Sequence, residues 1–201
     1  MKKIIALVVT AIAAVSLATA EITVGGRGNF GFGIGTKLYG DEKLELAKSL
    51  NYGITGFAKV PVAENISVQP ELGFNVIKSA MKVDDFDAKY TSTINVLDLA
   101  ALITYDIEVS DGLTVSPFAG PQFGYVIGKA KLSGDFSGDT KVKPFIFDIV
   151  LGTEVAYKMG NGALAGDLRY NFGVTPLKNE DGDKIATLRS LTLGVGYQIK
   201  L

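Results

Sequence analysis

Eight times after residue 20, a run of about ten residues alternates apolar side chains with small, polar or charged ones. Successive side chains of a strand point to opposite faces, so each run has one face suited to hydrocarbon and one suited to water. The first run sets Ile22, Val24, Phe30, Phe32, Ile34 and Leu38 on one parity and Thr23, Arg27, Asn29 and Lys37 on the other. The connections between runs alternate short and long, as in an up-and-down meander with tight turns at one end and extended loops at the other. The pattern predicts an all-β, eight-stranded antiparallel transmembrane barrel, with apolar rows turned to lipid and ionisable groups enclosed.

The first twenty residues are of a different kind. Met1, Lys2 and Lys3 form a positive start, Ile4 to Leu17 an apolar core, and Ala18-Thr19-Ala20 a small-x-small cleavage site before Glu21. The apolar core is shorter than the roughly 20 residues that cross a bilayer, so 1–20 reads as a signal peptide and 21–201 as one barrel domain. The chain contains no Cys, which removes both lipidation at an N-terminal cysteine and disulfide staples. Hydrophobic residues make up 47% of the sequence, yet no stretch after the leader would span a membrane as a helix. Without Lys2 and Lys3 the remainder is slightly acidic and carries no basic patch for nucleic-acid phosphates.

Strand one is expected at 22–38, strand two at 52–61, strand three at 66–77 and strand four at 94–107. Strands five to eight follow at 113–127, 145–157, 163–174 and 188–201. In strand four Val96 breaks the parity of Leu97, Leu99, Ile103 and Tyr105, which suggests a bulge or the upper end of the strand. Strand five contains Pro117 and Pro121. Proline cannot donate to a ladder and a closed barrel has no edge, so bulges or locally opened pairing are expected at both. Val60 is expected on the lipid face of strand two.

Tyr105, Tyr157 and Tyr197 fall outward near the short-turn end, and Tyr52, Tyr125 and Phe145 outward near the long-loop end, as two aromatic girdles. The segments Val68-Gln69-Pro70-Glu71-Leu72-Gly73, Pro117-Phe118-Ala119-Gly120-Pro121, 152–158, Leu168-Arg169-Tyr170-Asn171-Phe172-Gly173 and the last strand together resemble the small porin-like outer-membrane β-barrel proteins of OmpA and OmpX type. The resemblance covers the whole barrel domain and implies an integral location in the outer membrane of a Gram-negative-type envelope. It also implies that Gly196, Tyr197, Ile199 and Leu201 act as the C-terminal signal read by the barrel-assembly machinery. Leu201 stands where that signal usually has Phe.

An eight-stranded barrel is just wide enough for its own side chains to fill. Arg27, Glu71, Glu154 and Arg169 are expected at mid-barrel height, Asp98 and Asp148 higher and Asp167 in the lower third. Unpaired buried charges cost several kcal/mol each, so a paired network with Arg27 and Arg169 as its cations is expected; a water-filled lumen is the alternative. The chain has no His, so Ser-His triads and His-ligated zinc sites cannot be built, and the lack of Cys removes thiol catalysis. Gly26-Arg27-Gly28-Asn29-Phe30-Gly31 has dinucleotide-fingerprint spacing, but it lies inside a strand with no helix after it. No enzyme activity and no cofactor are expected.

Long loops are expected at 39–51, 78–93, 128–144 and 175–187. Lys129, Lys131, Lys141 and Lys143 in the third could meet lipid phosphates, and Asp181 and Asp183 in the fourth are weak calcium-ligand candidates. Three functions fit these features. The first is a non-enzymatic barrel serving envelope integrity or surface interaction, with outer-membrane lipid, the assembly machinery and an external or host ligand as partners. The second is a narrow porin-like channel for small solutes. The third, a soluble lipocalin-like lipid binder, needs its apolar parity inside.

Overall fold

Eight long strands, joined in chain order, form one ring. They run Thr23–Gly33, Leu44–Ala63, Ile66–Val83, Ala88–Tyr105, Leu113–Gly134, Phe145–Met159, Gly162–Gly173 and Arg189–Lys200 and are called strands one to eight. The computed structural model describes residues 21–34, 37–38, 44–83, 88–134, 138–140 and 142–201. The leader expected at 1–20 and Lys141 lie outside them. Each strand pairs antiparallel with the next, and strand one pairs with strand eight from Thr23↔Lys200 to Gly33↔Ser190. Closure leaves no sheet edge, the condition for carrying peptide groups through hydrocarbon on strands.

The long connections differ from expectation. Strands two to five continue well into the segments assigned to loops at 39–51, 78–93 and 128–144, reaching Leu44, Val83, Ala88 and Gly134. Hairpin arms can go on pairing with each other above the membrane, where no apolar parity is needed, so hydropathy does not mark their ends. The fourth connection carries two short strands, Leu177–Lys178 and Lys184–Thr187, and the second of these pairs with Lys37–Leu38. The three make a small sheet across the long-loop end.

Pro70, Pro117 and Pro121 open the pairing locally without bulging it. Strands four and five keep one register from Asn95↔Ile127 to Thr104↔Phe118, but the pairs Ala101 with Pro121 and Leu102 with Gly120 are missing from the ladder. A second break, at Asp106, falls beside Pro117, and pairing resumes unshifted at Ile107↔Val115. Pro70 does the same between strands two and three, where the ladder passes from Phe57↔Glu71 to Val60↔Val68. Each proline removes one donor, while the neighbouring strand on its other side still pairs with it, at Ile149, Thr153 and Ala101.

Ile54, Leu99, Ile103, Leu193 and Val195 stand exposed on the outer face, and Arg27, Glu71, Asp167, Arg169 and Gln198 are buried inside. This orientation is the reverse of what a soluble lipid-binding barrel needs. Val96 is an inward core residue, 1% exposed. The irregularity expected there lies between Thr93 and Asn95, on the long-loop side. Val60 pairs with Val68, whose partner Ile103 is exposed on the outer face, so it keeps the outward parity expected of it although neighbouring groups leave it only 6% exposed.

The interior is not polar throughout. Ile94, Val96, Val126, Ala130 and Ile146 form an apolar layer near the long-loop end, and Leu177 of the small sheet packs into it. A second cluster, Ala100, Leu102, Phe118 and Val150, lies deeper. Among the described residues this layer narrows the lumen toward the long loops.

Candidate functional site

The inward parity of strands one, three and seven brings four charges together. Arg27 Nη2 donates to Glu71 Oε1, and Arg27 Nε lies 3.1 Å from Asp167 Oδ2. Arg169 Nη1 donates to Glu71 Oε2 at 3.0 Å, and its Nε and Nη2 donate to Asp167 Oδ1 and Oδ2 at 3.0 and 3.2 Å. Gln69 Nε2 adds a bond of 2.8 Å to Glu71 Oε1. Two cations face two anions, so the cluster is neutral, and every member is buried. Bidentate arginine geometry satisfies most of the polar atoms that burial would otherwise leave unpaired.

Two inward aromatics hold the guanidinium groups from their faces. Arg27 Cζ lies 5.0 Å from the Phe57 ring centroid and Arg169 Cζ 5.2 Å from that of Phe118. Glycine makes the space. A Cβ at Gly194 would come within 2.7 Å of Asp167 Oδ2, and one at Gly196 within 2.6 Å of Arg27 Cβ.

Asp167, expected in the lower third, bridges both arginines, whereas Glu154, expected level with them, lines the cavity below. Strand tilt staggers residues of equal count along neighbouring strands, and long arginine side chains reach across the difference. Asp98 and Asp148 stand higher and stay outside the cluster. Asp98 accepts a hydrogen bond from Asn75 Nδ2 at 2.6 Å, and with Asp148 it lines a cavity of about 70 Å³ above the charges. Asn29, Asn51, Asn171, Ser190 and Thr192 complete much of its wall.

Below the cluster a wider cavity of about 510 Å³ opens at the short-turn end. Lys59 Nζ donates to Asp106 Oδ1 at 2.5 Å there, and Ser116 Oγ donates to the same oxygen at 2.6 Å. Sequence reasoning did not single out this pair, because Asp106 sits where strand four breaks its ladder and parity has no meaning.

The remaining candidates lie at the rims. Tyr52, Tyr125 and Phe145 are exposed on the outer face toward the long loops, with the Tyr125 and Phe145 rings 5.3 Å apart. Tyr105, Tyr157 and Tyr197 are exposed toward the short turns, and Tyr197 Oη donates to Met159 O at 2.9 Å. Ile199 and Leu201 continue the outward row of Tyr197. In the fourth connection Asp183 is engaged locally: its backbone N donates to Asn179 Oδ1 at 2.7 Å, and its carboxylate accepts from Asn179 Nδ2 at 3.1 Å. Asp181 is not joined to that pair.

The sequence matches a family model, the outer membrane protein beta-barrel domain, over residues 16–179. The chain belongs to this family. Among solved structures it is similar to the outer membrane protein OprG of Pseudomonas aeruginosa, at 11% identity and a TM-score of 0.64, covering 90% of this chain and 96% of that one. It is also similar to Neisserial surface protein A, at 12% identity and a TM-score of 0.58, over 90% and 97% of the two chains. A major outer membrane protein of Thermus thermophilus gives 12% identity and a TM-score of 0.53 over 90% and 99%. At these identities the likeness is one of fold. No curated protein matches in sequence. The barrel is integral to the outer membrane, its exposed apolar rows facing lipid, and in this family's build the short turns face the periplasm.

Proposed function

We propose that this protein is a non-enzymatic outer-membrane barrel whose lumen is closed by its own side chains and which serves envelope integrity or surface interaction. The observation that carries the reading is the neutral Arg27–Glu71–Asp167–Arg169 cluster across the lumen. The apolar layer above it, into which Leu177 packs, would add a second barrier. The lack of His and Cys and the filled core argue against catalysis. The paired hairpin arms above the membrane would present the surface to an external ligand. A cleaved leader at 1–20 would deliver the chain, and Gly196, Tyr197, Ile199 and Leu201 would be read during insertion.

Planar-bilayer recording of the refolded protein tests this. No reproducible single-channel steps are expected, and regular steps would overturn the closed-lumen reading. The second reading, a narrow solute channel, is favoured by the two cavities of about 70 and 510 Å³ on either side of the charges. It requires those steps and their loss on blocking the lumen.

A further inference from the structure

Three lysines stand together on the lipid side of the barrel at its outer rim. Lys78 of strand three pairs with Thr93 of strand four, and Thr93 pairs with Lys131 of strand five, so one ladder row carries both lysines two strands apart. At a strand spacing of about 4.8 Å their backbones are about 10 Å apart. Lys129 is two residues below Lys131 on the same parity, since Ala130 between them is buried inside. The register irregularity opposite Ile94, with Gly128 at φ +77°, lies just before this pair. Lys129 and Lys131 are exposed, and Lys78 lays its ammonium 5.5 Å from the Tyr52 ring centroid.

The height of the group matters as much as its charge. Lys78 is two residues beyond Val76, the partner of Tyr52, and Lys129 is four beyond Tyr125. At about 3.3 Å per residue these are steps of about 7 and 13 Å along tilted strands. The lysines therefore begin where the aromatic girdle ends, at the depth of lipid headgroups. The paired segment Ala130–Leu132 with Gly138–Thr140 sets Asp139 opposite Lys131 in the ladder. At that depth the phosphates within reach are those of lipid headgroups.

We infer that Lys78, Lys129 and Lys131 form a docking site for the phosphate groups of an outer-leaflet glycolipid. Ammonium-to-phosphate contacts at each lysine would fix the lipid against strands three to five, with Thr93 between them as a hydroxyl partner.

The test refolds the barrel into phosphatidylcholine vesicles doped with a diphosphorylated disaccharide lipid, extracts it in mild detergent and counts the retained glycolipid by native mass spectrometry. Wild type is expected to retain the lipid, and the K78Q/K129Q/K131Q variant to retain about tenfold less or lower still. The K158Q/K200Q variant at the periplasmic rim should behave as wild type. Heat-dependent electrophoretic migration verifies folding; if the triple variant does not fold, the single variants K129Q and K131Q at exposed positions make the same comparison. Equal retention by wild type and lysine variants overturns the site, as does no retention at all or equal retention of a phosphate-free lipid.

Discussion

The carboxylate of Asp167 occupies the space that a side chain at Gly194 would fill: a Cβ there would lie 2.7 Å from Oδ2 and 2.9 Å from Oδ1. Strand eight is bare at this point so that strand seven can bring an acid to both arginines. Gly194→Ala should push Asp167 off its bonds to Arg27 and Arg169 and destabilise the barrel by about 1–3 kcal/mol. Urea titration of the refolded protein, followed by tyrosine fluorescence, measures it. An unchanged midpoint would mean that the cluster is looser than its packing indicates.

Removing one member of the cluster should cost more than removing an equally close pair near water. Arg169→Met leaves Glu71 and Asp167 facing Arg27 alone, and a broken buried pair costs about 3–5 kcal/mol. Lys59→Met breaks the 2.5 Å contact with Asp106, whose side chain is 32% exposed, and should cost no more than about 1 kcal/mol. Denaturation of both variants in one lipid system gives the ratio. Equal losses would show that water reaches the cluster as freely as it reaches the lower cavity.

Lipid contact makes a prediction that surface exposure alone would not. Val195 is 64% exposed and sits near mid-barrel on the outer face. In water Val195→Arg would be nearly neutral, but at the bilayer midplane it should cost about 2–4 kcal/mol, while Val109→Arg at the periplasmic rim should cost at most about 1 kcal/mol. Folding equilibria in thin-chain phosphatidylcholine vesicles report both, and similar values at the two sites would contradict the depth assigned to Val195.

Much of this arrangement is legible in the residues, for a physical reason. A barrel in lipid needs period two on every strand, so Ile66 to Val76 and Leu191 to Leu201 declare their outward faces directly. Where both parities are apolar the signal vanishes. Phe145 to Leu151 has only Asp148 to break it, and nothing in its hydropathy marks Ile146 and Val150 as core. The inward arginines can be read from parity, but which acids they meet depends on strand tilt and side-chain reach: Asp167 and Glu154 are ladder partners, yet Asp167 bridges both arginines while Glu154 lines the cavity below. The lysine row was hidden more deeply, because Lys78 and Lys131 share a row only after the two-residue irregularity between Thr93 and Asn95.

The small sheet over the long-loop end has a consequence for assembly. Strands one and eight can meet only once all the others are in place. Their junction is tied below by Leu201 N to Ile22 O at 2.8 Å and above by Ile34 N to Arg189 O at 2.9 Å. Beyond it, Lys37–Leu38 clasps Ala186 and Thr187. The last joint made is therefore buckled at both ends.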